Sequence, residues 1–237
     1  MVVARTMPQD FSKRIAQLTS DLEAQGRRVQ ALLELAFDAF FTRDAAKAAR
    51  VNSDDDAIDA ADVAIEKACV ALLNDATNEG ASLGESDLRR VLTIVKVNNE
   101  FERVADVAVD LSELIKPGAQ TPAFPATFRM MANSVIGILR DTTTAFARTD
   151  APLAKVVLQS QHCVTAFKDA IVRDGEQQIA KGQMTVEFAF LLLEVASECE
   201  LVADHCTNVA EQIIYSSTGA IVRHTPTQWI EIPRQNG

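Results

Sequence analysis

Long proline-poor stretches, in which apolar residues recur at helical spacing, limit the folds open to this 237-residue chain. In the first stretch the apolar residues follow one another at intervals of three, four or seven, which places them on one side of an α-helix. They are Phe11, Ile15, Leu18, Leu22, Val29, Leu32, Ala36 and Phe40. Similar spacing predicts five further helices, over residues 44–78, 87–115, 126–147, 152–180 and 184–217. Helices of this length joined by short turns form antiparallel bundles, so the predicted fold class is all-α.

The chain also contains an internal repeat, visible when residues 98–115 are laid over residues 196–213. Seven of the eighteen positions match, and four of the matches are acids in register. Unrelated helices share alanines and valines more readily than they share four acids, so the match predicts two copies of one three-helix unit. Three prolines mark the boundary between the copies. The predicted segments are a first repeat at 10–116, a linker at 117–125, a second repeat at 126–220 and a C-terminal tail at 221–237.

Composition and charge exclude several classes of protein. The net charge of −10, without a block of basic residues, argues against nucleic acid as a partner. No uncharged apolar run approaches the roughly 18 residues of a membrane span, and the first eleven residues hold no apolar segment long enough for a signal peptide. Four scattered cysteines do not form a disulfide scaffold, so the cytoplasm is the expected compartment.

Acidic residues follow one face of the third predicted helix and of the sixth. On the third helix Glu102, Asp106 and Asp110 lie four apart, and Glu200 and Asp204 repeat that spacing on the sixth. Acids at this spacing repel one another, so the stripe needs compensation. A solvated surface or a nearby arginine, with Arg103 the candidate, is one explanation, and a bound cation is the other. The second helix adds a further pair at the same spacing, Asp55 and Asp59.

Several strings of residues resemble one known family. Residues 96–106, KVNNEFERVAD, resemble the N-[DE]-L-E-R-[IV]-[GA]-D signature of the PhoU family, regulators of phosphate uptake and phosphate-starvation signalling. Residues 200–211, ELVADHCTNVAE, resemble the family's E-R-I-A-D-H-A-T-N-I-A-E. Residues 214–224, IYSSTGAIVRH, resemble its closing I-Y-x-x-T-G-x-x-V-R-H, and residues 55–59, DDAID, its D-E-E-I-D. The resemblance spans residues 10–225 and both repeats.

The resemblance implies a fold of two three-helix bundles related by a pseudo-twofold axis. It implies a non-enzymatic adaptor that acts as a negative regulator between the ATPase subunit of the phosphate ABC transporter and a sensor histidine kinase. Such a protein would be cytoplasmic, peripheral at the inner face of the membrane, with a homodimer among the assemblies open to it. It also implies iron or divalent ions at acidic motifs, without distinguishing Fe, Zn, Mn and Mg. The residues carried over are Asp55, Asp59, Glu102, Asp106, Glu200 and Asp204.

The sequence departs from the family pattern in the second repeat. Gln161 and Thr165 stand where acids are expected on the fifth helix, and Leu201 replaces the signature arginine. The first repeat is therefore the better candidate for a metal site. The alternative function is a helical metal-binding or interaction protein, a paralogue without a role in the phosphate response.

Enzyme classes find little support in the sequence. No GxxxxGK[ST], GxSxG or HExxH motif is present. A ferritin-like di-metal oxidase would need an acid three residues before a ligating histidine. None of His162, His205 and His224 is preceded in this way. We therefore expect no catalytic activity.

Overall fold

The computed structural model describes residues 9–81, 83–115, 123–224 and 229–232. These residues form six α-helices and one two-stranded antiparallel sheet, in which Ile221 pairs with Ile232 and His224 with Trp229. The all-α class is confirmed, whereas the hairpin after the last helix was not predicted. The elements are α1 (Gln9–Thr42), α2 (Ala45–Asn78), α3 (Glu85–Glu113), α4 (Ala126–Arg148), α5 (Ala151–Ala180), α6 (Val186–Thr218), β1 (Ile221–His224) and β2 (Trp229–Ile232).

Short turns with capping residues separate α1 from α2 and α4 from α5. The Asp44 side chain accepts hydrogen bonds from the backbone N–H groups of Ala46 and Lys47, at 2.9 and 3.1 Å. Asp150 begins α5 in the same way and accepts from the backbone N–H of Leu153 at 2.9 Å. Such caps satisfy N–H groups that have no partner inside the helix. Because each turn is only two residues long, the helices on either side run antiparallel as neighbours.

The helices pack as two groups of three. α1, α2 and α3 contact one another, as do α4, α5 and α6. The groups meet where α3 lies against α6 and α1 against α4. α3 and α6 therefore contact helices on more than one side, and both bury apolar residues around much of their circumference. In α3 the buried run includes Val104, Ala105, Val107, Ala108 and Leu111.

A glycine on α1 lies in close contact with both α3 and α4. A Cβ atom at Gly26 would lie 2.9 Å from ring atoms of Phe101 on α3 and 2.9 Å from the Thr143 methyl group on α4. These distances are shorter than carbon–carbon van der Waals contacts, so only glycine fits without movement of its neighbours. A Cβ atom added at Gly137, within α4, would have no neighbouring atom within 4 Å.

Aromatic rings join the residues that precede α4 to both groups of helices. Phe124 lies 4.8 Å from Phe40 of α1, 6.0 Å from Phe128 of α4 and 5.8 Å from Phe188 of α6, measured between ring centroids. Ring pairs at these separations are attractive beyond the apolar area they bury. The end of the predicted linker is thus fixed to the core.

Candidate functional site

α2 and α3 bring the four predicted acids of the first repeat together. The pKa of Asp55 is raised to about 6, mainly by burial and further by repulsion from Asp59 and Asp106. Burial likewise raises the pKa of Glu102, with repulsion from Asp106 and Asp59. Asp106 also has a raised pKa, from burial and then from Asp59. We call this set of carboxylates across the α2–α3 contact the first acidic face.

Asp62 extends the first acidic face and was missed from the sequence. Its carboxylate repels Glu102, and its own pKa is raised by burial and then by repulsion from Glu66. The Asn98 side-chain amide donates to Asp62 Oδ1 at 2.6 Å. The available signal was its spacing of three residues from Asp59, which places both on the same side of α2.

Arg103, the expected counter-charge, compensates only part of this repulsion. Its guanidinium lowers the pKa values of Glu102 and Asp106, yet both remain above their ordinary values. The nearest carboxylate recorded for it is that of Glu100, at 3.9 Å. The first acidic face therefore keeps an excess of negative charge.

The corresponding acids of the second repeat are hydrogen-bonded to donors on α5. Glu200 accepts from the Lys168 ammonium at 2.6 Å and from the Thr165 hydroxyl at 3.1 Å. Asp204 accepts from the Gln161 side-chain amide. A salt bridge and two neutral donors thus occupy the oxygens that a cation would use, and we call this set the neutralised face.

The two faces correspond position by position. A shift of 98 residues relates α3 to α6, and a shift of 106 residues relates the facing positions of α2 to those of α5. Each of the three α2 acids in the first acidic face then has a hydrogen-bond donor as its counterpart. The three pairs are Asp55 with Gln161, Asp59 with Thr165, and Asp62 with Lys168.

Only the first acidic face suits a cation in its donor chemistry. Carboxylate oxygens are ligands for hard cations, and the Asp55 Oδ1 atom is buried with no hydrogen-bond partner among the described residues. No three His, Cys, Asp or Glu side chains in the described part of the chain form a ready metal-binding group. Metal binding at Asp55, Asp59, Glu102 and Asp106 therefore stays a prediction.

A hydrogen-bonded group in which Glu100 and His205 are largely buried joins α3 to α6 beside the first acidic face. Glu100 on α3 contacts His205 Nδ1 at 2.7 Å and accepts from the Asn208 amide at 3.1 Å, both on α6. Burial alone would raise the pKa of Glu100, but these two hydrogen bonds hold it below its ordinary value. His205 also attracts Asp106, whose pKa it lowers. His205 thus couples the contact between the bundles to the acidic face.

The pseudo-symmetric counterpart of that group has no histidine. Val107 occupies the position of His205, and Glu198 occupies that of Glu100. Burial raises the pKa of Glu198, and repulsion from Asp110 adds to it. The contact between the bundles is therefore held by a hydrogen-bonded pair on one side and opposed by two like charges on the other.

Comparison with known proteins finds one family over most of the chain. A family model described as the PhoU domain matches twice, at residues 22–115 and 128–213. The chain is 28% identical to the phosphate-specific transport system accessory protein PhoU of Escherichia coli, over 90% of this chain and 88% of that protein. The protein of the same name from Serratia marcescens is 27% identical over 90% and 87%.

Solved structures show the same arrangement of helices. The phosphate transport system regulatory protein PhoU from Streptococcus pneumoniae superposes with a TM-score of 0.82 at 22% identity, over 90% of this chain and all of that one. PhoU from Pseudomonas aeruginosa gives 0.79 at 25% identity, over 88% and 99%.

Proposed function

Because this chain belongs to the PhoU family, we propose that it is a non-catalytic adaptor that restrains phosphate uptake and phosphate-starvation signalling. The observation that carries this proposal is the double family match, which spans both three-helix groups. The relatives named phosphate-specific transport system accessory protein support the same role. The partners we propose are the ATPase subunit of the phosphate ABC transporter and the sensor histidine kinase of the phosphate response.

Contact at the inner face of the membrane follows from the proposed partners, since both belong to membrane assemblies. The protein would act there from the cytoplasm through its helical surfaces. Among the described helices, none combines the length and apolar character needed to cross a membrane.

The first acidic face is where we propose that a cation binds. Asp55, Asp59, Glu102 and Asp106 would supply carboxylate oxygens, with Asp62 at the edge. An iron or divalent ion there would offset the mutual repulsion of these groups and hold α2 against α3. We do not extend the proposal to the neutralised face, whose carboxylates are already bound by α5 side chains.

Deletion of the gene in the source cell tests the regulatory role. The cells are grown in excess phosphate and assayed for a phosphate-starvation reporter such as secreted alkaline phosphatase. High reporter activity, returned to the basal level by the wild-type gene on a plasmid, is expected. An unchanged reporter would reject this role and favour the alternative, an interaction or metal-binding bundle outside the phosphate response.

Metal analysis of the purified protein tests the cation site separately. Wild-type protein, a D55N/D59N variant and an E200Q control are dialysed against each candidate ion and analysed by elemental mass spectrometry. Loss of bound ion in D55N/D59N alone is expected, because only that variant removes ligands from the first acidic face. Equal stoichiometry in all three proteins would contradict the site.

A further inference from the structure

An apolar groove of about 280 Å³ lies between α5 and α6 of the second bundle. Its floor lies where α5 approaches α6 closely, since a Cβ atom at Gly175 would lie 3.9 Å from that of Ala189. Its length from Ile171 to Ile179 on α5 corresponds to about 12 Å, or two helical turns. A helical segment of about two turns matches the length of this groove.

The α6 wall of the groove exposes large apolar side chains to solvent. Phe190 is 65% exposed, and Val186 and Leu193 are also exposed. The three lie four and three residues apart, so they form one stripe along the helix. A continuous apolar stripe beside a groove marks an interaction site more often than isolated exposed residues do.

Acidic residues border this stripe on both sides. Glu187 and Glu194 stand three residues before and four residues after Phe190, on the side of α6 away from α5. Glu176 lines the groove from α5. All three are exposed, and no cationic side chain lines the groove among the described residues. The rim therefore favours a positively charged occupant.

The first bundle carries the same apolar pattern with the opposite charge. Leu88 and Leu92 are exposed on α3, and Leu92 is 52% exposed. The shift of 98 residues that relates the repeats places Arg89 and Lys96 where α6 has acids. Both repeats thus have an apolar pair at this position, but the residues beside it are basic in the first repeat and acidic in the second. The α6 counterparts, in order, are Val186, Glu187, Phe190 and Glu194.

We propose that the acidic-rimmed groove between α5 and α6 binds one amphipathic helix of a partner protein, with apolar residues at i, i+4 and i+7 and Lys or Arg beside them. Charge complementarity selects this occupant over an anionic membrane surface, which the rim repels. The same argument disfavours a second copy of this chain, which would have to offer the basic border of α3. There Arg89 has only 13% of its side chain exposed and is paired with Glu85 at 2.5 Å.

This inference rests on the adaptor function proposed above and identifies the surface and partner chemistry through which it would act. A docked helix would cover the side chains that α6 now exposes to water. The test therefore removes apolar surface without a change of charge and uses the α3 counterpart as the control.

The probe is a fluorescein-labelled 18-residue Leu/Lys amphipathic peptide, titrated with the full-length protein and followed by fluorescence anisotropy at physiological salt. A Leu/Glu peptide of the same apolar pattern is the charge control. We expect F190S/L193S to bind the basic peptide about tenfold or more weakly, since the exposed aromatic ring and leucine that the peptide would cover are lost. L92S should bind like the wild type, and the acidic peptide should not bind. Circular dichroism checks that each variant stays helical.

A second variant tests the contribution of the rim charge to peptide binding. E187R/E194K gives α6 the border that α3 carries, so it should lose the basic peptide and gain the acidic one. Equal binding by wild type and F190S/L193S, or equal weakening in L92S, would overturn the proposal. So would binding to phosphatidylglycerol vesicles, or concentration-dependent self-association, that F190S/L193S abolishes.

The reporter strain separates failure of this inference from failure of the adaptor function. If deletion raises the reporter but F190S/L193S restores full repression, the adaptor function stands and the groove is not its docking surface. If deletion leaves the reporter unchanged, the adaptor function fails, while the peptide titration still decides what the groove binds. Derepression by F190S/L193S with normal repression by L92S supports both.

Discussion

Replacing Asp55 by glutamine should stabilise the cation-free protein at neutral and alkaline pH. The second bundle already carries this exchange, since Gln161 occupies the counterpart position and donates its amide to Asp204. In D55Q the amide would face Asp106, the counterpart of Asp204. One repelling carboxylate is thereby exchanged for a hydrogen-bond donor.

The magnitude follows from the pKa of Asp55, which is about 6 instead of 3.8. One pKa unit corresponds to about 1.4 kcal/mol, so the ionised carboxylate costs at most about 3 kcal/mol. Solvent reaches part of this side chain and screens the repulsion, so we expect a gain of about 1–2 kcal/mol in the free energy of unfolding.

The sign of the pH dependence is fixed by the raised pKa. Below about pH 3 Asp55 is mostly protonated in both folded and unfolded protein, and its ionisation costs the fold almost nothing. As the pH rises from 4 through 6, the unfolded chain releases its proton more readily than the folded protein does, and stability is lost. D55Q should therefore exceed the wild type at pH 8 and match it near pH 3.

Urea unfolding followed by circular dichroism, in the presence of a chelator, measures this difference. The control is E200Q, which weakens the salt bridge to Lys168 and should lower stability at pH 8. Equal stability of D55Q and wild type at pH 8, or the same gain at both pH values, would show that ionised Asp55 does not destabilise the fold. Addition of a cation that binds the first acidic face should stabilise the wild type more than D55Q.

Two further substitutions test the packing between the bundles. G26A should lower the free energy of unfolding by about 1–3 kcal/mol relative to G137A, because both gain helix propensity but only the first meets a ring and a methyl group. Thermal unfolding of the pair measures this, and a G26A protein as stable as G137A would contradict the close approach. H205V copies the valine of the first repeat and leaves Glu100 without its 2.7 Å partner. It should cost about 1–3 kcal/mol at pH 7. That loss should shrink on acidification as Glu100 becomes protonated, and a loss independent of pH would argue against the pair.

Local signals in the sequence predicted the helices well. Apolar spacing located all six described helices, and the side chains of Asp44 and Asp150 cap the first turns of α2 and α5. Gln161 and Thr165, which stand where acids are expected, donate hydrogen bonds to Asp204 and Glu200. The helices and their caps depend on neighbours within one or two helical turns, which a sequence displays directly.

Contacts between distant helices could not be read in the same way. The pairing of Glu100 with His205 spans 105 residues and depends on how α3 crosses α6. Lys168 neutralises Glu200 because of the register between α5 and α6, which apolar spacing alone leaves open. The strands β1 and β2 lie in a segment without a periodic pattern, so only their mutual hydrogen bonds define them.

Because α3 and α6 are buried on more than one side, the two repeats should not be separable into folded fragments. A fragment that ends after α3 would lose the contacts of α3 with α6 and of α1 with α4 and would expose the groups now buried there. Each repeat covers part of the other's surface, so we expect neither to fold autonomously. Half-length fragments should therefore aggregate or unfold when produced singly, and co-expression of the two halves is the condition under which they would assemble.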